Sequence, residues 1–585
     1  MQDSDPLHAD SYQAKWVVGG RNREIETRLS ADLGVSPLVA ALLAQRGFTD
    51  GDSTSAFLNP SVQDFHDPRL LPDYEPAVAA ILGARERKEQ IFVHGDYDVD
   101  GITSAAIFNR FLKAIGCKVH THVPHRMRDG YGVSGSAVEA AKAMGAKLFL
   151  TCDCGIGAHD EVEQANEAGM AVVVTDHHTV GPTLPGARAV VNVHRQDSVY
   201  PFKELSGAGV VFKLCEGITK QLGFPLDKFY RAYLDLTALG TIADVMPLVG
   251  ENRLIARFGL EHLRATRKPG LIALFGQAKI DLAKPIRAGQ VGFQVGPRLN
   301  AAGRLEDAAT ALQLLLTCEE AEATTLAAKL EEINVKRRAE QDRIAEEAIK
   351  LLFAQDGLQY KILMVAQEGW HSGVVGIVAS RLVDQFHRPS FVMSIDPETG
   401  ICKGSGRSIP GFNLAEAISE HRDLFESGGG HAMAAGCSFH RDNFEDIRRQ
   451  LGAYADAKLT EEDLVPTVRA DLEVSAEELS IATIEELSKL EPFGFGNPQP
   501  KFLARNVAVR QIIPTKNRSV VKAILETESG RTVEAVSFTL AERMTPSLAG
   551  ACVDVLFEPD INEYNGNRRL QWKLKDFVAA TPVAD

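Results

Sequence analysis

Short apolar segments alternate with amphipathic stretches along the first part of the chain. The strand-like segments are Ile91–Val93, Val119–Val123, Leu148–Thr151, Ala171–Thr175 and Ala189–Val193. Helical patterns lie between several of them, for example at Ser104–Ile115 and Ser136–Met144. Short continuous apolar strands that alternate with helices are typical of a mainly parallel sheet covered on both faces. The pattern therefore predicts an α/β domain.

The pattern changes further along the chain. Between residues 251 and 354 apolar residues recur at helical spacing, and the charges between them indicate the solvated face of a long connecting helix. A second α/β unit begins near Tyr360, with a strand at Ile362–Val365. We predict an N-terminal region at 1–70, a parallel-sheet domain at 71–250, a helical connector at 251–354, a second α/β domain at 355–460 and a small β-barrel at 465–585.

Alternating segments near the end of the chain predict the antiparallel strands of that barrel. They are Asn506–Ile513, Val520–Glu526, Thr532–Phe538, Cys552–Phe557 and Arg568–Lys575, with a hairpin turn at Asn565-Gly566. Five such strands suit an OB-fold, which stacks bases and follows a nucleic-acid backbone. The candidate contacts are Lys516, Arg518, Tyr564 and Trp572. The alternative for Trp572 is a position in the barrel core.

Composition limits the kinds of protein that this chain can be. A chain of 585 residues is too long to fold around a single hydrophobic core, so several domains are expected. With 45% hydrophobic and 24% charged residues, its composition is that of an ordinary globular protein. A net charge of −15 argues against indiscriminate coating of nucleic acid, although a basic groove can lie on an acidic body. The acidic start and the lack of a long apolar run predict a cytoplasmic protein without membrane spans. Apart from Cys152 and Cys154 the eight cysteines are scattered, which favours reduced thiols over a zinc site.

Acidic and histidine side chains cluster after the predicted strands. Each of four groups follows the end of a predicted strand. The groups are Asp96, Asp98 and Asp100; Asp153; Asp176, His177 and His178; and Asp244 after Leu239–Ala243. Ligands of such sheets collect beyond the carboxyl ends of the strands, so we expect these side chains to meet. Aspartate and histidine together suit Mn²⁺ or Mg²⁺. Taken alone, an Asp-rich loop can also be a turn or a helix cap.

The order of these residues resembles the DHH phosphoesterase superfamily. Its signature is matched by Asp176-His177-His178, by His94, Asp98 and Asp100 upstream, and by Asp153 between them. Three longer segments narrow the resemblance: VHGDYDVDG at 93–101, ALGTIADVMPL at 238–248 and GPRLNAAGR at 296–304. They are similar to the bacterial single-strand-specific DNA exonucleases of that superfamily, and the likeness runs from about residue 70 to the end.

The resemblance implies two divalent ions, with Mn²⁺ or Mg²⁺ as cofactor. The division it suggests is His94 and Asp98 at one ion, Asp100 and Asp244 at the other, Asp153 bridging and His177 completing the set. The expected catalytic residues are Asp98, Asp100, Asp153, His177, His178 and Asp244. His178 would be a ligand or a proton donor beside the substrate. Asp96 would support its neighbours through hydrogen bonds, and Asp235 is the rival to Asp244.

The resemblance also implies hydrolysis of single-stranded DNA from the 5′ end to 5′-mononucleotides, in DNA repair, recombination and mismatch repair. The implied partners are single-stranded DNA, a single-stranded-DNA-binding protein and a helicase, and the protein would be a monomer. The candidate substrate contacts are Arg126, Arg128, Tyr131, Arg298, Asn300, Arg304, His371, Arg407, Ser408, Gly429 and His431, the last five in an accessory DHHA1-like domain. Ion-paired surface arginines and tight glycine turns are the alternatives.

Two other functions remain open at the level of sequence. A phosphodiesterase for short oligonucleotides or cyclic dinucleotides, or a pyrophosphatase, would share the metal motifs but has little need of a terminal barrel. A relative that has lost catalysis and only binds DNA or proteins would lack some ligands, whereas every expected ligand is present here.

Overall fold

The computed structural model describes residues 14–515, 520–564 and 566–580. The N-terminal region holds one strand and three helices: β1 (Lys15–Val18), α1 (Arg23–Leu33), α2 (Pro37–Gln45) and α3 (Gly51–Leu58). Each helix begins at a side-chain cap, since Asn22, Ser36 and Asp50 each accept a hydrogen bond from a backbone amide of the first turn. Polar cap residues before apolar runs therefore explain where these helices begin.

The first domain is built on a fully parallel sheet. Its elements are α4 (Tyr74–Glu86), β2 (Gln90–Gly95), α5 (Val99–Ala114), β3 (Lys118–His122), α6 (Gly135–Ala143), β4 (Ala146–Cys152), α7 (His159–Glu167), β5 (Ala171–Thr175) and β6 (Ala189–Val191). The strand order is β3-β2-β4-β5-β6, and every pair is parallel. The predicted parallel α/β domain is confirmed, because helices cover both faces of strands that are apolar on both sides.

Helices continue the first domain and connect it to the second. They are α8 (Gly207–Gln221), α9 (Leu226–Ala243), α10 (Gly250–Arg264), α11 (Pro269–Gln277), α12 (Ala288–Gln290), α13 (Gly296–Leu305), α14 (Ala309–Leu316) and α15 (Glu320–Ala354). A π-helical turn at Val291–Val295 joins α12 to α13. The 35-residue α15 contributes Leu330 and Ile333 to the first core and Ile344 and Leu352 to the next, which confirms the long connecting helix.

One detail of the predicted sheet is wrong. The segment Leu239–Ala243, which we interpreted as a strand end, is the last part of α9, and Asp244 follows a helix. A buried apolar segment of this length has no periodicity that separates a strand from a fully buried helix. Asp244 therefore reaches the sheet edge from a packed helix.

The second α/β domain carries a mixed sheet. Its elements are β7 (Leu363–Glu368), α16 (Val375–Phe386), β8 (Ser390–Ile395), β9 (Ile401–Arg407), α17 (Leu414–Glu420), β10 (Ser427–Gly430), β11 (Ala434–His440) and α18 (Phe444–Lys458). The strand order is β10-β11-β9-β8-β7, in which β7 and β8 are parallel and the other pairs antiparallel. The glycine-rich β10 and the end of β9 lie at the side of this domain that carries the candidate phosphate contacts.

The last part of the chain forms a closed barrel. Its elements are β12 (Thr467–Ala470), β13 (Leu472–Glu473), α19 (Ile481–Leu487), β14 (Phe502–Pro514), β15 (Val521–Glu526), β16 (Thr532–Ser537), β17 (Cys552–Tyr564) and β18 (Asn567–Ala579). The strands run β14-β15-β16-β18-β17, and β17 pairs back onto β14. The five-stranded barrel is confirmed, but one of its pairs departs from the predicted antiparallel arrangement, because β16 and β18 are parallel.

Trp572 corrects one prediction for this barrel. Its side chain is 0% exposed and stacks on Phe557 with ring centroids 3.9 Å apart. An indole enclosed in the barrel core offers no face to a nucleobase, so Trp572 stabilises the barrel and is not a nucleic-acid contact.

The N-terminal region packs on the barrel. Strand β1 pairs in parallel with β12, and apolar residues of α1 and α2 share one hydrophobic core with the barrel strands. We call this unit, formed by the described residues of 14–58 and 467–580, the terminal body. Arg253 of α10 holds it against the first domain, because its guanidinium stacks on Phe57 at 3.9 Å and donates to the backbone carbonyl of Leu490 at 2.9 Å.

In the described part of the chain, no single helix has the length and apolarity to cross a membrane. The bent pair α1–α2, which turns by 118°, meets these criteria by length and composition alone.

Candidate metal centre and substrate groove

The loop between β2 and α5 brings two of the acidic residues to the edge of the sheet. Asp98 is the N-cap of α5, and its Oδ1 accepts from the Gly101 amide at 3.0 Å. Gly101 lies so close to Asp96 that an added Cβ would be 2.5 Å from the Asp96 backbone nitrogen. The glycine is therefore needed for the tight turn that places Asp96 and Asp98 side by side.

Asp100 is held by the N-terminus of another helix. Its Oδ2 accepts from the Gly207 amide at 2.6 Å, and its Oδ1 accepts from the Ala208 amide at 3.0 Å. The helix α9 passes close by, since a Cβ on Gly240 would lie 2.5 Å from Asp100 Oδ1. Two free amides at a helix N-terminus favour a carboxylate. Both oxygens of Asp100 are thus fixed by the N-terminus of α8.

Donors from distant parts of the chain meet around His177. Its Nε2 lies 3.1 Å from Asp153 Oδ1, 3.8 Å from Asp100 Oδ2 and 3.7 Å from Asp244 Oδ2. Asp153 follows β4 with a left-handed φ of 61°, and its amide donates to Thr175 at 3.0 Å. The sheet edge and the end of α9 therefore bring four predicted ligands together.

Three overlapping groups of donor atoms could each hold a cation, because the donor atoms of each group lie within 4.8 Å of one another. The groups are Asp153, His177 and His178; Asp100, His177 and Asp244; and Asp96, Asp98 and Asp153. Asp153 and His177 each belong to two groups. This sharing is what a centre for two neighbouring ions requires.

The electrostatics of the cluster fit a divalent cation. Burial and the charges of Asp100 and Asp98 raise the pKa of Asp153 well above its ordinary value, and no residue in the described part of the chain donates a hydrogen bond to its Oδ1. Burial and like charge also raise the pKa of Asp244 to about 9 and that of Asp100 to about 7. Burial lowers the pKa of His177 to about 4, so its imidazole is neutral and can donate a lone pair.

His178 is oriented by Asp176, which the sequence analysis left without a role. Asp176 Oδ1 accepts from His178 Nδ1 at 2.7 Å and from the amides of His177 and His178 at 2.7 and 3.1 Å. Burial alone would lower the pKa of His178, but the bond and charge of Asp176 raise it to about 9. The Tyr131 hydroxyl lies 3.2 Å from His178 Nε2. This arrangement holds a protonated imidazole beside the acidic cluster.

His94 lies at the end of β2 but belongs to none of the three donor groups among the described residues. Its Nδ1 is 3.1 Å from His122 Nδ1, and its Nε2 is 3.1 Å from the Gly132 carbonyl. Burial and the neighbouring His122 lower the pKa of His94 to about 4. Its role as a ligand stays a prediction. The rival Asp235 has a different environment, because its carboxylate pairs with Lys268 at 2.7 Å.

Arginines from both α/β domains face each other beside the cluster. Burial and the charges of Arg126, Arg337 and Arg407 lower the pKa of Arg304 to about 10, while Asp98 raises it. Arg304 donates to the Gly373 carbonyl at 3.2 Å, and Arg126 lies over the Tyr97 ring at 5.1 Å. These guanidiniums repel one another, which is part of the reason that the pKa of Arg304 is lowered. A phosphate between them would relieve that repulsion.

Other predicted contacts are occupied by bonds within the protein. Arg298 pairs with Glu331 at 2.6 Å, as the alternative interpretation expected. Asn300 Oδ1 accepts from the Val99 amide at 3.1 Å and so supports the start of α5. The Ser408 hydroxyl donates to the Phe412 carbonyl at 2.7 Å. These contacts define local structural roles, and roles in binding stay predictions.

The remaining candidate contacts are more open. Arg128 and His431 are exposed, and Tyr131 is 58% exposed. His371 Nδ1 accepts from the Gly373 amide at 3.1 Å, so it lies beside the carbonyl that Arg304 reaches. Gly429 pairs with Gly436 at the edge of the second sheet. Among the barrel candidates, Lys516, Arg518 and the Asn565 turn lie outside the described residues, and Tyr564 is described only as part of β17.

Three family models match the chain and define its class. The DHH family N-terminal domain matches residues 90–241, the DHHA1 domain matches 357–457 and the RecJ OB domain matches 470–576. The fold and site thus define a DHH protein with an accessory DHHA1 domain and an OB domain, as predicted.

Relatives and solved structures narrow this class. The chain is 39% identical to the single-stranded-DNA-specific exonuclease RecJ of Bacillus subtilis, over 96% of this chain and 70% of that protein. It is 36% identical to RecJ of Dickeya dadantii, over 94% and 97%. The crystal structure of Thermus thermophilus RecJ with Mn²⁺ matches with a TM-score of 0.82 and 31% identity, over 97% and 80% of the two chains. The chain belongs to the RecJ family.

Proposed function

We propose that this chain is a metal-dependent exonuclease that degrades single-stranded DNA from the 5′ end to 5′-mononucleotides. The observation that carries the proposal is the meeting of Asp98, Asp100, Asp153, His177 and Asp244 in overlapping donor groups. Relatives that align over nearly the whole chain are single-stranded-DNA-specific exonucleases. The arginines beside the cluster supply the complementary charge that a phosphodiester needs.

The expected cofactor is Mn²⁺ or Mg²⁺, and the T. thermophilus relative has been solved with each ion. In our assignment Asp98 with His94 would hold one ion and Asp100 with Asp244 the other, while Asp153 would be shared between them and His177 would complete the set. When bound, two such ions polarise water and stabilise the charge of an in-line displacement at phosphorus.

The chain's own residues would position the substrate and move a proton. Arg126, Arg304 and Arg407 would hold phosphate oxygens between the two α/β domains. Water attacks the phosphorus that joins the first two nucleotides, and the bond from phosphorus to the 3′-oxygen of the first nucleotide breaks. His178, held by Asp176 at 2.7 Å, is the side chain that we assign to protonate that oxygen. A channel too narrow for duplex would account for single-strand preference.

The cellular setting is also a proposal. Family resemblance supports action in the cytoplasm, in DNA repair, recombination and mismatch repair, as a monomer that works beside a helicase and a single-stranded-DNA-binding protein. The finding that no single described helix can cross a membrane is compatible with this setting.

A time course on 5′- and 3′-labelled single and double strands, with Mn²⁺, Mg²⁺ or chelator, tests the activity. We expect 5′-mononucleotides from single strands alone, and none with chelator. The variant Asp153→Ala should lose activity and Mn²⁺ binding while its circular dichroism is unchanged. The matched control is Asp384→Ala, on the exposed side of α16, which should behave as wild type. Cleavage of a dinucleotide but not of a 50-mer would refute the exonuclease assignment.

A further inference from the structure

A short turn that leads into α8 lies against the acidic cluster. We call residues 205–208 the 205–208 turn. Its Gly207 and Ala208 amides donate to the two oxygens of Asp100 at 2.6 and 3.0 Å. Gly207 also lies against a second donor, since an added Cβ would be 2.6 Å from the Cβ of Asp153 and 2.7 Å from its Oδ1. The turn therefore fixes two carboxylates that come from different segments of the chain.

The same turn reaches a third donor through its backbone. Burial lowers the pKa of His177, whereas a hydrogen bond with the Leu205 backbone raises it. A backbone group that raises the pKa of an imidazole is a carbonyl that accepts from a ring N–H. Imidazoles that bind metal commonly donate their other N–H in this way, which fixes the ring and its tautomer. Leu205 thus orients His177 while Nε2 faces Asp153 at 3.1 Å.

A pair of buried hydroxyls links the 205–208 turn to the helix that carries the fourth donor. Ser206 Oγ lies 2.9 Å from Thr241 Oγ1, and both side chains are 0% exposed. Thr241 lies on α9, three residues before Asp244. Ser206 Oγ also accepts from the Gly209 amide at 3.0 Å as the N-cap of α8. One hydroxyl therefore fixes the start of α8 and its position against α9.

Burial makes this hydroxyl pair sensitive to the relative position of the two helices. If α9 moved along α8, both hydroxyls would lose their partner in a place that water does not reach, and a buried polar group without a partner is costly. The carboxylates that the helices carry repel one another, so without an ion they tend to move apart. The pair opposes that movement, because it joins the turn that holds Asp100 to the helix that ends at Asp244.

We propose that Ser206 and Thr241 are positioning residues for one of the two ions, the ion that Asp100, His177 and Asp244 would hold. Their hydroxyl pair fixes the spacing between the donors from the α8 side and the donor from α9. The inference rests on the proposed function and deepens it, because it names side chains outside the donor set that determine the affinity of one ion. The other ion should depend on them less, since its donors lie in the loop between β2 and α5.

The decisive variant is Thr241→Val, which removes the hydroxyl and keeps the shape of the side chain. Calorimetric titration of the metal-free protein with Mn²⁺ should show that one ion binds about 10- to 100-fold more weakly. Thr241→Ser should recover the wild-type affinity, because it restores the hydroxyl. The matched control is Thr237→Val, one turn earlier on α9. Thr237 is also 0% exposed, but its hydroxyl donates to the Tyr233 carbonyl of the same helix at 2.9 Å.

A double-mutant cycle tests whether the two hydroxyls act as a pair. Ser206→Ala should weaken the same ion, and adding Thr241→Val should weaken it little further, because the pair is already lost. Electron paramagnetic resonance gives a spectroscopic readout. With two equivalents of Mn²⁺, wild type should show the signal of a coupled ion pair, and Thr241→Val should show that of isolated ions. Melting temperatures with chelator present should fall similarly for Thr241→Val and Thr237→Val, so a loss of stability alone would not produce the difference in affinity.

The inference is overturned if Thr241→Val binds both ions as Thr237→Val does, or if it weakens both ions equally. Independent effects of Ser206→Ala and Thr241→Val in the cycle would also overturn it. Wild type that binds two ions but cleaves no single strand would instead overturn the proposed function, and wild type that binds fewer than two ions would overturn both. The failures are therefore distinguishable.

Discussion

The variant Asp100→Asn should change the stability of the metal-free protein in opposite directions at low and high pH. The Asp100 carboxyl is 1% exposed, and burial with the charge of Asp98 raises its pKa from 3.8 to about 7. The folded state therefore holds a proton that the unfolded chain releases between pH 4 and 7. The contribution of Asp100 to the free energy of unfolding is fully present below its unfolded pKa of 3.8 and is lost as the pH rises to about 7. At ~1.4 kcal/mol per pKa unit, the loss is about 4 kcal/mol.

Asparagine removes this pH dependence but introduces a different cost. Its single oxygen can accept from only one of the Gly207 and Ala208 amides, and its NH₂ group faces the other. The unsatisfied donor costs about 1–3 kcal/mol. Below pH 4 the variant should therefore be less stable than wild type by about that amount. At pH 8 relief of the buried charge outweighs the lost hydrogen bond, and the variant should be more stable by about 1–3 kcal/mol.

Thermal unfolding from pH 4 to 8.5 with chelator present measures this crossover, and calorimetric titration with Mn²⁺ checks the loss of metal affinity. Mn²⁺ should raise the melting temperature of wild type most at pH 8, where the carboxylates are charged, and should raise that of the variant less, because the variant keeps the donors of only one ion intact. Equal destabilisation at both ends of the pH range would show that Asp100 carries no buried-charge penalty, and the electrostatic reasoning would be wrong.

Three further changes test the support of the site. Asp176→Asn should lower the pKa of His178, measured by NMR, from about 9 by at least ~1 unit, and the basic limb of the pH–rate profile should shift by the same amount. If the basic limb does not shift, His178 is not the general acid. Gly240→Ala should lower stability by ~1–3 kcal/mol and weaken Mn²⁺ binding, whereas Gly276→Ala, which has open space around it, should do neither in denaturation and titration experiments. Arg253→Met should cost ~1–3 kcal/mol and expose the terminal body to limited proteolysis while Mn²⁺ affinity is kept; loss of metal binding would contradict its assignment as a domain contact.

The local order of apolar and polar residues was enough to predict the sheet and the types of donor. Buried parallel strands need continuous apolar segments, so Ile91–Val93 and Ala171–Thr175 are recognisable without tertiary information. Loops at the carboxyl ends of those strands must then lie at one edge, which is why Asp98, Asp153 and His177 were expected to meet.

The same reasoning failed where a residue's environment comes from distant parts of the chain. Asp244 reaches the cluster from the end of a helix, and no local period distinguishes that helix from a buried strand. Alternation places Trp572 on one face of a strand, but only barrel closure decides that this face is the interior. The docking of the N-terminal region on the barrel likewise depends on a strand pairing between residues about 450 positions apart.

The sequence by itself therefore determined the kinds of groups at the site and the strands that carry most of them. Tertiary structure decided which donors lie close enough to share a cation, that Asp176 orients His178, and that a buried hydroxyl pair links α8 to α9 beside the donors. The physical reason is that backbone periodicity depends on neighbours in the chain, whereas burial, charge coupling and cavity shape depend on neighbours in space.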